Sequence, residues 1–197
     1  MPRLFTALEI PRSVALSLSL LRGGLPGARW IDVENYHITL RFIGDVDGRT
    51  ADEIVDRLDR IDRPEFQLSM TGIGSFGGKK PHSVWAGVTP APEMFALQAE
   101  IERLCQRLGL PPDPRKFTPH VTLARLKGAR VDDVVHYLSG RGNFQTAPFT
   151  VPRFVLLSSR DSVGGGHYLT EEIFPLREEI NSRSREWAGA VPEKSLL

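Results

Sequence analysis

The sequence predicts an α+β fold: two pseudo-symmetric lobes, each an antiparallel sheet with helices, around a central cleft. Three observations carry this expectation. Strand-like and helix-like segments alternate along most of the 197 residues. The pattern His-x-Thr-Leu occurs twice, at His37-Ile38-Thr39-Leu40 and His120-Val121-Thr122-Leu123, each inside a strand-like run. A helical pattern follows each run, and the two histidines lie 83 residues apart, close to half the ordered length. A duplicated lobe carrying one motif per copy accounts for all three. Residues 1–177 are expected to form one bilobal domain, and 178–197, with SRSRE, EKS and few apolar residues, a tail prone to disorder.

Leu4 to Ile10 reads as the first strand. Pro11 then opens a helix to about Leu21, terminated by Gly23-Gly24. The HITLRFIG strand follows a loop around Trp30. Thr50 and Glu53 have capping-box spacing for a helix with Ile54, Leu58 and Ile61 on one face. Phe66 to Gly72 and Ser83 to Val88 read as strands joined by GSFGGKKPH, where Lys79 and Lys80 are either a phosphate contact or a solvated loop tip. A helix is predicted over Pro92 to Leu108 from the stripe Met94, Leu97, Ile101, Leu104 and Leu108, with Gly109 as its stop. The Pro-rich PPDPRKFTP leads into the second motif strand. A short helix is expected across Val131 to Leu138, and strands across Phe149 to Ser159 and Tyr168 to Phe174. The glycine run 164–166 between those strands lacks a phosphate-loop or dinucleotide pattern and reads as a hairpin turn.

A net charge of +1 excludes a strongly polyanion-binding surface overall, while leaving room for a local basic groove. Cys105, the single cysteine, falls in an apolar helical pattern and reads as core filling. One buried thiol suits a reducing cytoplasm. No segment has the unbroken apolar length of a membrane span, and Glu9 and Pro11 interrupt the start where a signal peptide needs its apolar centre. The absence of a long apolar seam favours a monomer.

The two-residue period of a strand puts His37, Thr39 and Arg41 on one face, with Ile38, Leu40 and Phe42 on the other. His120 and Thr122 share a face in the same way. A lone histidine is usually a structural residue, but two in matched contexts point to an acid and a base. Imidazole, with an ordinary pKa of about 6.5, serves in either role near neutrality. Threonine hydroxyls donate to a phosphate oxygen, and an arginine offsets its charge. The set suits metal-free phosphodiester cleavage. Neither motif has an acidic residue on its cleft face to complete a metal site, so no metal or cofactor is expected.

With these motifs the chain resembles the 2H phosphoesterases, and more narrowly the bacterial and archaeal RNA 2',3'-cyclic phosphodiesterases, also called 2'-5' RNA ligases. The likeness runs from about residue 3 to 177 through LFTALEIP, NYHITLRFIGDV, GIGSFGGKKPHSVWAGV, KFTPHVTLARLK and LLSSRDSVGGGHYLTEEIFPL. It implies hydrolysis of RNA 2',3'-cyclic phosphate ends, tRNA halves among them, to 2'-phosphates, with reversible 2'-5' ligation as the related reaction. It also implies that His37 is the proton donor, His120 the proton acceptor, and Thr39, Thr122 and Arg125 the phosphate contacts.

Parity puts Arg125 opposite His120, so it joins the cleft only across a bulge or a strand end. Phe42 matches an aromatic near the family's terminal nucleotide, yet parity places it in the core, and the parity reading is preferred. Arg41 stands where the family more often has an apolar residue, as either a substrate contact or a solvated charge. Trp85, Phe117 and Tyr168 share the ambiguity between core and base contact, and His82, His136 and His167 read as structural or surface residues. The alternatives in function are a relative acting on a small nucleotide, such as ADP-ribose cyclic phosphate or 2',5'-oligoadenylate, and a non-catalytic nucleotide-binding module.

Overall fold

A computed structural model describes residues 3–159 and 168–178. The glycine run 164–166, His167 and nearly all of the 178–197 tail lie outside the described residues. The strands are β1 (Arg3–Glu9), β2 (Ala28–Trp30), β3 (His37–Asp45), β4 (Phe66–Leu68), β5 (Met70–Phe76), β6 (Ser83–Val88), β7 (His120–Leu126), β8 (Phe149–Val151), β9 (Arg153–Ser159) and β10 (Tyr168–Pro175). The helices are α1 (Arg12–Ser19), α2 (Gly48–Leu58), α3 (Pro92–Arg107) and α4 (Val131–Ser139). One sheet runs β10-β9-β1-β3-β7-β6-β5, with β2 added on β7, and β4 and β8 form a separate pair. Every pairing of the named strands is antiparallel, as expected for an α+β chain.

Local chemistry explains where the elements differ from expectation. The cap of α2 is Asp47, whose carboxylate accepts from the Thr50 backbone N–H at 2.9 Å and from the Thr50 hydroxyl at 2.9 Å. Thr50 therefore sits inside the helix, and Glu53 pairs with Arg49 at 3.0 Å instead of closing a capping box. Pro152, which has no N–H to give a ladder, separates β8 from β9 where one long strand was expected. The stretch at Trp30, expected as loop, pairs with β7 through Trp30–Ala124.

Sequence halves and sheet halves do not coincide. β1 and β3 pair with β9 from the C-terminal part of the chain, and the middle of the chain supplies β5, β6 and β7. The helices cross over too: α3, which follows β6, packs on β3 and α2. Tyr137 of α4 donates its hydroxyl to the Leu21 carbonyl beyond α1 at 2.7 Å. The main core lies between the sheet and these helices, with Leu8, Leu18, Ile38, Ile54, Leu97, Ile101 and Leu123 buried in it.

Two bulges set what faces the cleft. In β3, Thr6 pairs with Arg41 and Ala7 with Thr39, so Leu40 is the extra residue. In β7, Val84 pairs with Ala124 and Trp85 with Thr122, so Leu123 is extra. An inserted residue inverts side-chain parity beyond it. Two expectations are thereby corrected: Arg41 turns inward and is 6% exposed, while Phe42 turns outward and is 44% exposed. Arg125 is carried to the His120 and Thr122 face by the β7 bulge.

The buried Arg41 guanidinium pairs with Glu102 of α3 and donates to the carbonyls of Phe42 and, at 2.5 Å, Pro111. Removing one partner of such a pair leaves an uncompensated charge. Arg41→Met is expected to cost about 2 kcal/mol in urea unfolding, less than a fully buried pair because Glu102 keeps some solvent contact. Arg41→Met combined with Glu102→Met is expected to recover at least half of that loss. A neutral single variant would show that the pair does not hold β3 to α3.

Candidate active site

β3 and β7 meet through the register pair Ile38–Val121, both side chains fully buried. Residues flanking that pair point to the opposite face, where antiparallel alignment sets Thr39 toward His120 and Thr122 toward His37. Thr39 and His120 line a common cavity of about 360 Å³, together with Phe42, Phe76, Arg115 and Phe117. The structure thus brings the two motifs onto one cleft.

Each imidazole is tethered the same way. His37 Nδ1 donates to the Asn35 carbonyl at 2.8 Å, and His120 Nδ1 donates to the Thr118 carbonyl at 2.6 Å. A carbonyl only accepts, so the neutral rings carry their proton on Nδ1, which leaves Nε2 of each ring as an acceptor. His37 Nε2 lies 3.1 Å from Thr39 Oγ1, which donates to it.

Aromatic rings brace both sides. Phe5 and Tyr168 stand 5.2 and 5.0 Å from the His37 ring, and Phe76 and Trp85 stand 4.9 and 6.0 Å from that of His120. Gly74 makes the second brace possible, since a Cβ there would lie 2.3 Å from the Trp85 ring. This packing also removes water from the rings. Burial pushes the His37 pKa down to about 4 against the opposing effect of the Asn35 carbonyl, with the positive fields of His120 and Arg125 lowering it further. Burial lowers His120 as well, against the Thr118 carbonyl.

Of the remaining sequence candidates, Tyr168 and Trp85 are these braces. Phe117 lines the cleft and stacks edge-on to Phe95 at 5.6 Å. His82 lines the outer cleft beside Phe76. Lys79 and Lys80 are exposed in the β5–β6 turn, His136 is exposed on α4, and Cys105 is buried in the core. Sequence reasoning passed over Arg115, Gln98 and Phe76, all on the cleft wall. The signal available for Arg115 was its place in the loop entering the second motif strand. Among the described residues, no three His, Cys, Asp or Glu side chains converge as a metal site, and no helix is long and apolar enough to cross a membrane.

Comparison with known proteins agrees with this architecture. Residues 21–162 match the family model described as the 2'-5' RNA ligase superfamily. An RNA 2',3'-cyclic phosphodiesterase of Aeropyrum pernix is 41% identical over 123 residues, 61% of this chain and 69% of that protein. One from Aquifex aeolicus is 30% identical over 152 residues, 74% of this chain and 81% of its own length. The crystal structure of E. coli LigT with 3'-AMP shares the fold, with a TM-score of 0.74 at 24% identity over 89% of this chain and 99% of that one.

A histidine whose folded pKa is depressed destabilises the fold on acidification, because between about 6.5 and 4 the unfolded chain binds a proton the folded chain refuses. Stability is therefore expected to fall as pH drops through that window, with His37→Gln flattening the slope. In an NMR titration the His37 ring should show a midpoint near 4, moving upward when inorganic phosphate is added. A midpoint at the ordinary value would contradict the burial argument.

Proposed function

The chain belongs to the 2'-5' RNA ligase superfamily, and from that membership and the cleft we propose that it is an RNA 2',3'-cyclic phosphodiesterase. It leaves 2'-phosphates by metal-free acid–base catalysis. The observation that carries the reading is the matched pair of imidazoles on two paired strands, each tethered through Nδ1 to a backbone carbonyl with Nε2 left as the acceptor.

In the reaction, a water attacks phosphorus while His120 Nε2 takes its proton, and the bond from phosphorus to O3' breaks. His37, protonated on Nε2 in the substrate complex, gives that proton to O3'. The depressed pKa of His37 supports this division, because it makes that ring the weaker base and, once protonated, the stronger acid. The negative charge of the bound phosphate offsets the burial that keeps His37 neutral in the free protein. Thr39, Thr122 and Arg125 hold the non-bridging oxygens and stabilise the charge that builds on them. Phe42, exposed at the cleft, offers a face to the terminal base. With an RNA 5'-hydroxyl in place of water, the same transfer gives a 2'-5' linkage. The domain at 1–177 with a separate tail, and action as a cytoplasmic monomer, belong to the same proposal.

Purified protein in excess EDTA, given a short RNA with a 2',3'-cyclic phosphate end, is expected to yield a 2'-phosphate. His37→Ala and His120→Ala should each lower the rate by about a hundredfold to ten-thousandfold. No product would reject the RNA-end reading, and binding without turnover would favour a nucleotide-binding module. Turnover only with added metal would overturn the two-histidine mechanism.

A further inference from the structure

β2 lies beside β7 in the register Ala28–Leu126, Arg29–Arg125 and Trp30–Ala124. Gly27 makes this approach possible, because its φ of +74° turns the chain into β2 and a Cβ there would stand 2.7 Å from the Lys127 carbonyl oxygen. Packing fixes which way the pair faces: Ala124 is fully buried, and Trp30 lies against Tyr137 of α4 at 5.9 Å. Alternation then sends Arg29 and Arg125 together to the other face of the sheet, the one that carries the cleft. The two arginines are direct cross-strand neighbours, about 5 Å apart at their Cα atoms.

Like charges placed opposite one another on a sheet are destabilising. Both side chains are exposed, and among the described residues neither comes within ion-pair distance of a carboxylate. Arg115, the exposed cation at the Phe42 end of the cleft, shows the contrast. It stands over the Phe42 ring at 5.2 Å and is held by Asp113 through two bonds of 3.1 Å, Nε to Oδ1 and Nη2 to Oδ2. Asp113 is anchored in turn, its backbone N–H donating to Glu102 Oε1 at 3.1 Å. The pair from β2 and β7 has no such neutralising group. The charge of Arg125 reaches His37 and lowers its pKa, which puts Arg125 at the border of the reacting phosphate. Arg29 stands beside it, and the acid–base steps give it no part.

We propose that Arg29 is a specificity-determining residue that binds an RNA backbone phosphodiester adjoining the reacting phosphate, with Arg125 standing between the two anions. A guanidinium suits the task, because its planar fork of donors pairs with two phosphate oxygens at once. A second anion also relieves the repulsion between the two cations, so an arrangement unfavourable in the free protein becomes favourable in the complex. An RNA end supplies that second charge and a mononucleotide does not, so the cleft favours an oligonucleotide over a nucleoside cyclic phosphate. The inference rests on the activity at RNA ends proposed above. The phosphodiester belongs either to the strand bearing the cyclic phosphate or to the strand supplying the 5'-hydroxyl, and removing its charge tells the two apart.

Turnover is compared for adenosine 2',3'-cyclic monophosphate, an adenosine dinucleotide ending in a 2',3'-cyclic phosphate, and the same dinucleotide with an uncharged methylphosphonate linkage. A 2'-5'-linked trinucleotide, cleaved in the reverse of ligation, is made with and without a methylphosphonate in the linkage after the junction. The wild type is expected to favour the charged over the uncharged form by about tenfold in kcat/KM, in the dinucleotide if the donor strand is held and in the trinucleotide if the other strand is. Arg29→Met should erase that advantage while leaving the cyclic mononucleotide unchanged, and Arg29→Lys should keep part of it. For the favoured strand, the slope of log affinity against log salt should fall by about 0.7 in Arg29→Met. Indifference of the wild type to both charge removals, an advantage that survives in Arg29→Met, or an equal loss on the mononucleotide would each overturn the subsite. Failure of the wild type to turn over any of these substrates would instead sink the proposed activity. The subsite would then stand or fall on calorimetric binding of the 2'-phosphorylated dinucleotide against its methylphosphonate form.

Discussion

The cleft depends on one backbone constraint: β3 and β7 are joined through Ile38–Val121, and each strand bulges at the leucine after its threonine. The buried pair fixes register, and register fixes which side chains face the cleft. A slip of one residue in either strand would send that strand's histidine into the core. Each of these bulges reverses parity for the residues just beyond it, and β3 has a second irregularity further on, at Ile43. Before the bulge, histidine and threonine point into the cleft. Beyond it, Phe42 on one strand and Arg125 on the other return to the same face. The two strands thus present the same pattern with different final residues, an aromatic on the β3 side and a cation on the β7 side.

The same packing that positions the imidazoles also sets their chemistry. Phe5, Tyr168, Phe76 and Trp85 hold the rings by their faces and edges, while the Asn35 and Thr118 carbonyls fix the tautomer. Both rings are held more acidic than free histidine, His37 the more strongly. The unliganded cleft therefore favours two neutral bases. In the proposed mechanism an anion between them restores the missing charge, so that substrate binding and creation of the acid are one event.

Much of this was legible in the sequence because it depends on local periodicity. The repeated His-x-Thr-Leu gave the two site strands, and the stripe from Met94 to Leu104 gave α3. What escaped was whatever depends on a break in periodicity. Strict alternation put Phe42 in the core, and it turns outward, while Arg41, read as a substrate contact or a solvated charge, is buried and paired with Glu102, because a bulge carries no residue signature of its own. Arg125 was recoverable only as a conditional statement, that a bulge would bring it in. The α2 cap moved from Thr50 to Asp47 because two good capping residues stand three apart and only the tertiary setting chooses between them. Arg115 escaped because its place over Phe42 is fixed through Glu102 on α3, a contact between elements that neither segment announces.

The central claim is that two imidazoles, one protonated and one neutral, carry the reaction together, and the pH dependence of kcat/KM and kcat in EDTA tests it most directly. Since both free-protein values are depressed, kcat/KM should be bell-shaped with its maximum below about pH 6.5. The kcat profile should peak at higher pH, because bound phosphate raises the pKa of the acid. A rate that climbs without a maximum into the alkaline range would contradict the account, since it would require a base and no protonated partner.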